Sequence, residues 1–436
     1  MTDTIIALSS GALPSGIAIV RASGPASQAL ATRFCGDLPA PRMATFRGFF
    51  DDQGLEIDRG YLLWLPGPAS FTGEDCVEFH LHGSRAVVDR VLGLATQMAG
   101  VRLADAGEFA RRAFSNGKLD LVEAEALGDL ISAETEAQRR FAVELAGGAQ
   151  SALYDHWRSR LLHARAMIEA EIDFADEDDV PGSASDQVWA DMRALTEALA
   201  RHMDGERRGR IMRSGLQVAI VGAPNAGKST LLNALAGSDR AIVSPEPGTT
   251  RDVVEARLDL GGYLVVLADT AGLRADAGAV ESEGIRRAMK RASDADLVLH
   301  VSETGLFEPL DLSGEPLIWN VRSKADLVVS DRASSGAVDH SLSAVSGEGV
   351  DYFLAALKDF VADRAGGWDL APGRARHMNH LDLCKSHLVD SLSEQLPLEL
   401  RAEHLRLAAE SLGRITGRID VEDMLGVIFS QFCVGK

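Results

Sequence analysis

The stretch GAPNAGKST follows the apolar run LQVAIV and opens the helix-like STLLNALAG. Its Gly222, Gly227, Lys228 and Ser229 satisfy G-x-x-x-x-G-K-[ST] in the strand, loop and helix context that the pattern requires. Glycines there let backbone amides close around phosphate oxygens, and the helix start adds its dipole. The lysine reaches the β- and γ-phosphates, and the hydroxyl ligates Mg²⁺. The expected phosphate-holding residues are Asn225, Ala226, Gly227, Lys228, Ser229 and Thr230.

Three later elements turn a phosphate site into one for a guanine nucleotide. DTAG (269–272) ends the apolar run YLVVLA, placing Asp269 to hold Mg²⁺ through water and the Gly272 amide to sense the γ-phosphate, with Thr270 and Ala271 among the GTP-binding residues. GTTRD (248–252) brings Gly248, Thr249 and Thr250, the last as a second Mg²⁺ ligand beside Ser229 that engages only when the γ-phosphate is present. SKAD (323–326) ends the run PLIWNV, with Lys324 flanking the base and Asp326 accepting two hydrogen bonds from guanine N1 and N2, a donor pair that adenine lacks. Ser323 stands where GTPases usually carry Asn, which predicts weaker anchoring of the base loop and lower affinity with the Asp326 readout unchanged. SAVSGEG (343–349) fits the last base-contacting loop through Ser343 and the Ala344 amide.

The hydrolytic group is less usual. After DTAG stands Leu273, where many small GTPases place a water-orienting Gln, and a leucine cannot orient water. Either hydrolysis is nearly dead or another group acts, and the nearby candidates are Glu281 and Arg274. A carboxylate can position or polarise water directly or through a second water. The ending FCVGK poses a separate question: Cys433 is an accident of a solvated end, a packing residue or a reactive thiol, and five residues alone leave all three open.

The elements that must position these groups fall into four segments. A chain of 436 residues exceeds one ordinary core. Residues 1–116 read as short β runs punctuated by Gly and Pro, a small α+β domain. From Leu119 the texture becomes Ala/Leu/Glu-rich helix, with Tyr154, Trp157, Leu161, Ala164 and Ile168 at helical spacing, which gives a first helical segment over 117–210. Residues 211–365 alternate apolar strands with helices, the pattern of a mostly parallel sheet flanked by helices, and helices return over 366–436. The reading is a multidomain α/β protein in which a Ras-like P-loop domain is inserted into an all-α one.

Composition narrows the partners. The formal charge is 44 − 64 = −20, which argues against coating nucleic acid with the whole surface. No run approaches the roughly 20 apolar residues of a membrane span, and MTDTIIALSSG lacks the form of a signal peptide, so a cytoplasmic protein with no membrane partner is expected. Cys35, Cys76, Cys384 and Cys433 show no disulfide or zinc framework in their spacing. The acidic run FADEDDV (174–180) reads as a solvated loop, with a metal or basic-partner site as its rival.

Taken together, these motifs resemble the MnmE (TrmE) family of tRNA modification GTPases. The resemblance runs over nearly the full length through DTIIALSSG, GIAIVRASG, FTGEDCVEFHLHGS, AGEFARRAFSNGKLDLVEAEALGDLISAET, GTTRD, DTAGLR and EDMLGVIFSQFCVGK. It implies an N-terminal dimerisation and folate-binding domain, a helical domain built from two segments, and a G domain between them. It implies that Cys433 takes part in the modification chemistry, and that Arg21, Glu78, Lys118 and Lys436 face 5-formyl- or 5,10-methylene-tetrahydrofolate. It further implies K⁺-assisted G-domain dimers with Asn225, Ser244, Glu246 and Thr249 around the ion, and Glu281 as the catalytic carboxylate. Pro245 and Pro247 would stiffen the potassium loop. The implied reaction, with an FAD- and NADH-dependent partner in a heterotetramer, adds a carboxymethylaminomethyl or aminomethyl group to C5 of the wobble uridine (U34) of certain tRNAs.

Two rival readings differ in class. A ribosome-assembly or regulatory GTPase would share the G motifs, but such proteins usually carry a basic RNA-binding module. A zinc site would use His377, His380, Cys384 and His387, which fall on one face of a helix.

Overall fold

The structure is a computed structural model that describes every residue except 1–2, 174–182, 243–254, 270–288, 315, 328–337, 368–369, 420–421, 431, 433 and 436. The acidic run 174–180 lies outside the described residues. The chain divides into two compact units: Met1–Gly128 with Ala146–Arg160 and Ala409–Lys436, and Asp129–Leu145 with Leu161–Ala408. These edges do not coincide with the segment boundaries at 116, 210 and 365 read from the sequence, because helical residues on both sides of the G segment group with the N-terminal sheet.

The first unit is built on a six-stranded sheet in the order β3-β4-β5-β2-β1-β6. The strands are β1 (Thr4–Leu8), β2 (Ser15–Ser23), β3 (Thr45–Phe50), β4 (Glu56–Leu65), β5 (Cys76–Gly83) and β6 (Val101–Leu103). All neighbours pair antiparallel except β1 and β6, which run parallel. In β5, CVEFHLHG, alternate residues point to opposite faces. Val77, Phe79 and Leu81 join Val20, Leu62 and Trp64 under the helices Ser27–Cys35 and Arg85–Ala95, whose Leu30, Phe34, Val88 and Val91 close this core. The intervening Glu78 faces the other way and pairs across the ladder with Arg21.

The C-terminal helix Glu422–Ser430 returns to this unit: Phe429 is buried with Ala110, Leu121 and Ala124, and Phe114 packs against the same cluster. Beyond it Val434 forms an antiparallel bridge with Ala106. Ser9 donates to the Gly435 carbonyl at 2.8 Å. A Cβ at Gly435, whose φ is +94°, would stand 2.0 Å from the Leu8 carbonyl, so only glycine lets the chain end lie this close to β1.

Beneath β1 lies a buried ionic cluster. Arg112, on the helix Glu108–Ser115, is fully buried and donates to the Asp3 carbonyl and carboxylate, both at 2.9 Å, to Glu74 at 3.1 Å and to Glu108 at 3.3 Å. Ser23 donates to Glu74 at 2.7 Å, and Arg102 donates to Glu108 and Asp3. Burial disfavours ionised Glu108, but hydrogen bonds from Arg102, the Asp105 amide and Arg112 outweigh it and hold its pKa down, from 4.5 to about 2. A carboxyl with a depressed folded pKa contributes stability that is present above its unfolded value and lost as pH falls through the folded one. The denaturation midpoint should therefore fall as pH drops from 4.5 towards about 2, and Glu108→Gln should flatten that dependence. An unaltered pH profile in the variant would contradict this.

The second unit carries a six-stranded sheet in the order β12-β11-β10-β7-β9-β8. Its strands are β7 (Leu216–Val221), β8 (Glu255–Leu260), β9 (Tyr263–Asp269), β10 (Leu297–Ser302), β11 (Leu317–Arg322) and β12 (His340–Ser341). All pairs are parallel except β8 with β9. This is the mostly parallel sheet expected of the inserted P-loop domain. The central strands LVLHVS and LQVAIV are nearly continuous buried runs, as in sheets covered on both faces. The covering helices include Lys228–Ala236, burying Leu231, Leu232 and Leu235, and Val350–Ala365, burying Phe353, Leu354, Leu357 and Val361.

The helix Glu206–Ser214 leads into this sheet through a clamp. Arg207 and Arg210 both bind the buried Asp296 just before β10, and Asp296 also accepts the Gln217 amide of β7 at 3.0 Å. The starts of β7 and β10 are thereby tied side by side, and the loop after β7 inherits their position. Among the described residues no helix is long and apolar enough to cross a membrane.

Candidate functional site

The loop 222–227 leaves β7 and enters the helix Lys228–Ala236. A Cβ at Gly222 would lie 2.2 Å from the Val301 carbonyl of β10, so this glycine is required by the close approach of two backbones. Asn225 holds φ at +64° and Gly227 at +92°, the left-handed backbone from which anion-binding nests are built. Lys228 is 6% exposed, and its ammonium donates to the carbonyls of Gly222 at 2.9 Å and Ala223 at 2.8 Å. Burial lowers its pKa, with the Asp269 charge opposing. Ser229 donates its hydroxyl to Asp269, the last residue of β9, at 2.6 Å. Thr230 is exposed beside it, and Ala226 is buried. A hydroxyl and a carboxylate held together next to an ammonium form the donor set that a phosphate-bound Mg²⁺ takes.

The loops expected to hold the base meet at Ser323. It is buried, and its hydroxyl donates to the Ala226 carbonyl of the phosphate loop at 2.6 Å, across 97 positions of sequence. The side chain, shorter than the Asn usual at this position, makes a direct bond between the two loops. Lys324 adopts φ +54° and its ammonium pairs with Glu303. Asp326 sits exposed in the short turn Ala325–Leu327. Ser343 is buried and its hydroxyl accepts the amides of Val345 and Ser346, closing the loop that carries the half-buried Ala344. The Ala325 amide donates to the Leu342 carbonyl at 3.2 Å, joining the two base loops. Ser323→Ala would leave the Ala226 carbonyl without this donor. We expect a loss of about 1 kcal/mol and a roughly fivefold rise in the dissociation constant for fluorescent GDP. An unchanged constant would show that the bond does not set the loop.

Of the expected residues, Ser244, Glu246, Gly248, Thr249, Thr250, Thr270, Ala271, Gly272, Arg274 and Glu281 lie outside the described residues, as do Leu273, Pro245 and Pro247. Cys433 and Lys436 do too.

The first unit presents a second constellation. Arg21 binds Glu78 with Nε at 2.9 Å and a terminal nitrogen at 2.8 Å, and its guanidinium lies 5.6 Å from the Phe71 ring centroid and 5.8 Å from that of Phe109. His80 meets the other Glu78 oxygen at 3.3 Å. The His80 hydrogen bond, then the Arg21 charge, lower the Glu78 pKa against burial. Lys118 is exposed, with its stem over Gly73, and neighbouring Asn116 donates to the Thr72 carbonyl at 2.7 Å. The loop containing Phe71 and Gly73 therefore lies against both Arg21 and Lys118. Arg21 pairs with Ala7 across β1, and the next residue, Leu8, is the one that Gly435 approaches. Sequence reasoning missed His80 and Phe71; the alternation that placed Glu78 on the open face of β5 also places His80 there.

The four-residue zinc reading is not supported. Cys384 is fully buried among Leu381 and Leu388 on the helix Ala375–Ser391, and burial pushes its thiol pKa far up. His377 is also buried, beside Arg376. Among the described residues, the group with ligand atoms in mutual reach is His387, Asp390 and His404.

Comparison with known proteins adds the following. The model of the MnmE helical domain matches residues 121–433, and that of the GTP-binding protein TrmE N-terminus matches residues 4–118. The chain is similar to the "tRNA modification GTPase MnmE" of Mesorhizobium japonicum, 54% identical over 100% of this chain and 99% of that protein. It is 51% identical to the protein of the same name from Brucella anthropi, again over 100% and 99%. The solved G domain of the T. maritima FeoB iron transporter is 25% identical, covering 35% of this chain and 99% of its own, with a TM-score of 0.25.

Proposed function

The chain belongs to the MnmE (TrmE) family of tRNA modification GTPases, and from that premise we propose that it couples GTP hydrolysis to modification at C5 of the wobble uridine of certain tRNAs. The observation that carries the GTPase part is the joining of Lys228, Ser229 and Asp269 at one end of a parallel sheet, with the base loops bonded to the same loop through Ser323.

In this reading Asn225 to Thr230 hold the phosphates, and Ser229 and Thr250 ligate Mg²⁺. Gly248, Thr249, Asp269, Thr270, Ala271 and Gly272 meet the γ-phosphate side, while Lys324, Asp326, Ser343 and Ala344 hold guanine. Asn225, Ser244, Glu246 and Thr249 surround K⁺, whose charge stands in for an arginine finger. Glu281 positions the attacking water, and Arg274 is the second candidate for that role.

Arg21, Glu78, Lys118 and Lys436 hold a reduced folate: a carboxylate suits the donor edge of a pterin, and cations suit a glutamate tail. The folate supplies a one-carbon unit. The fit is supported by the partly buried Arg21–Glu78 pair beside two aromatic rings. Phe432 packs on the unit that carries Arg21, and Val434 is bridged to Ala106 of the same unit. The protein works in the cytoplasm as a homodimer with an FAD- and NADH-dependent partner, which takes much of the tRNA contact given the charge of −20. The four-segment organisation into folate, helical, G and returning helical parts belongs to the same proposal.

Nucleoside mass spectrometry of bulk tRNA tests it. Cells lacking the chain should lose the C5-aminomethyl-type uridines; the native chain should restore them fully, and Cys433→Ser should restore essentially none. Persistence of these uridines in the deletion strain would remove tRNA from the reading and favour a regulatory GTPase.

A further inference from the structure

The helix Ala375–Ser391 and the helix Leu398–Thr416 are joined by a connector of a few residues and form a hairpin. One rung is polar and fixed: Arg401 donates Nε to the Ser391 carbonyl at 2.7 Å and lies 3.6 Å from the Trp189 ring centroid. His404 follows Arg401 by three positions, so it projects from the same side of its helix about one turn further on. On the facing helix, His387 and Asp390 are likewise three apart. The rung therefore brings His404 Nδ1 to 3.3 Å from His387 Nδ1 and to 3.8 Å from Asp390 Oδ2. All three ligand atoms lie within 4.8 Å of one another.

We propose that His387, Asp390 and His404 form a site for a divalent transition metal of imidazole preference, with zinc as its reference ion. The spacing fits the ion. Two metal–nitrogen bonds of about 2.0–2.1 Å at a tetrahedral angle separate their nitrogens by about 3.3–3.4 Å. A carboxylate on the same helix, half exposed, completes a facial set of three and leaves the fourth position to water. Imidazole and carboxylate together select zinc, nickel or copper over Mg²⁺, so the site does not compete with the phosphate loop for its cation. The bound ion ties the two helices one turn from the Arg401 rung. This site keeps His387 from the four-residue reading of the sequence and takes Asp390 and His404 in place of His377, His380 and Cys384.

The test uses tag-free full chain saturated with Mg²⁺ and GDP. Zinc alone is titrated calorimetrically, and cobalt(II) alone is followed by visible absorption. The expected result is one equivalent per chain, with the visible bands of four-coordinate cobalt and without a thiolate charge-transfer band. His387→Ala and His404→Ala should each weaken binding by about a hundredfold and Asp390→Asn by about tenfold. Zinc should also raise the melting temperature of the native chain but not of the variants. Should an alanine variant misfold, His404→Gln with native helical content by circular dichroism serves instead. Equal zinc affinity in native chain and variants, a thiolate band, or no saturable uptake would each overturn the proposal.

Discussion

Lys228→Ala should lower kcat/KM for GTP hydrolysis by about 10³-fold, roughly 4 kcal/mol of lost transition-state stabilisation. Lys228 is 6% exposed, and burial disfavours its charge, so its charged form depends on strong acceptors. The Gly222 and Ala223 carbonyls already supply two, and they hold Nζ at the mouth of the loop. Phosphate oxygens gaining charge during transfer are stronger acceptors still. In a site with little water such a bond is worth more than in solvent. Because the gain grows towards the transition state, kcat should fall more than GDP affinity does. Single-turnover hydrolysis alongside a fluorescent-GDP titration separates the two. A kcat/KM within tenfold of the native value would remove Lys228 from the reaction.

Arg112→Met should destabilise the first unit by about 3–5 kcal/mol, the cost typical of deleting one partner from a buried ion cluster. Methionine fills comparable volume, so the loss is electrostatic. Glu74 would keep the Ser23 hydroxyl but lose its guanidinium partner, while Asp3 and Glu108 would retain Arg102. Denaturant unfolding followed by a probe in the first unit reads the effect. The affinity for GDP should stay native, because the phosphate loop belongs to the other unit. A midpoint unchanged by the substitution would mean that the three carboxylates are adequately solvated without the arginine.

The sequence by itself determined the glycine-rich loop after β7, the strand end bearing Asp269, the turn after β11 bearing Asp326, and the parallel character of the second sheet. These are local: the loop motif spans only 222–229, and the strands declare themselves by nearly continuous apolar runs that need covering on both faces. The open-face position of Arg21 and Glu78 is also local in origin, since period-two alternation sends them away from Val20 and Phe79, but their register across two strands is not.

Tertiary structure decided the rest, wherever the partner of a side chain is distant along the chain. Nothing around Ser323 announces a bond to Ala226, and nothing in AGEFARRAF says that its second arginine will be enclosed by Asp3, Glu74 and Glu108. The histidines make the same point. Helical period placed His377, His380, Cys384 and His387 on one face correctly, but period cannot say what covers a face. Packing turned Cys384 and Leu388 inward and left His387 to meet His404 across the hairpin. Spacing along a chain governs which groups share a direction; only the packing of one element on another governs which groups share a site.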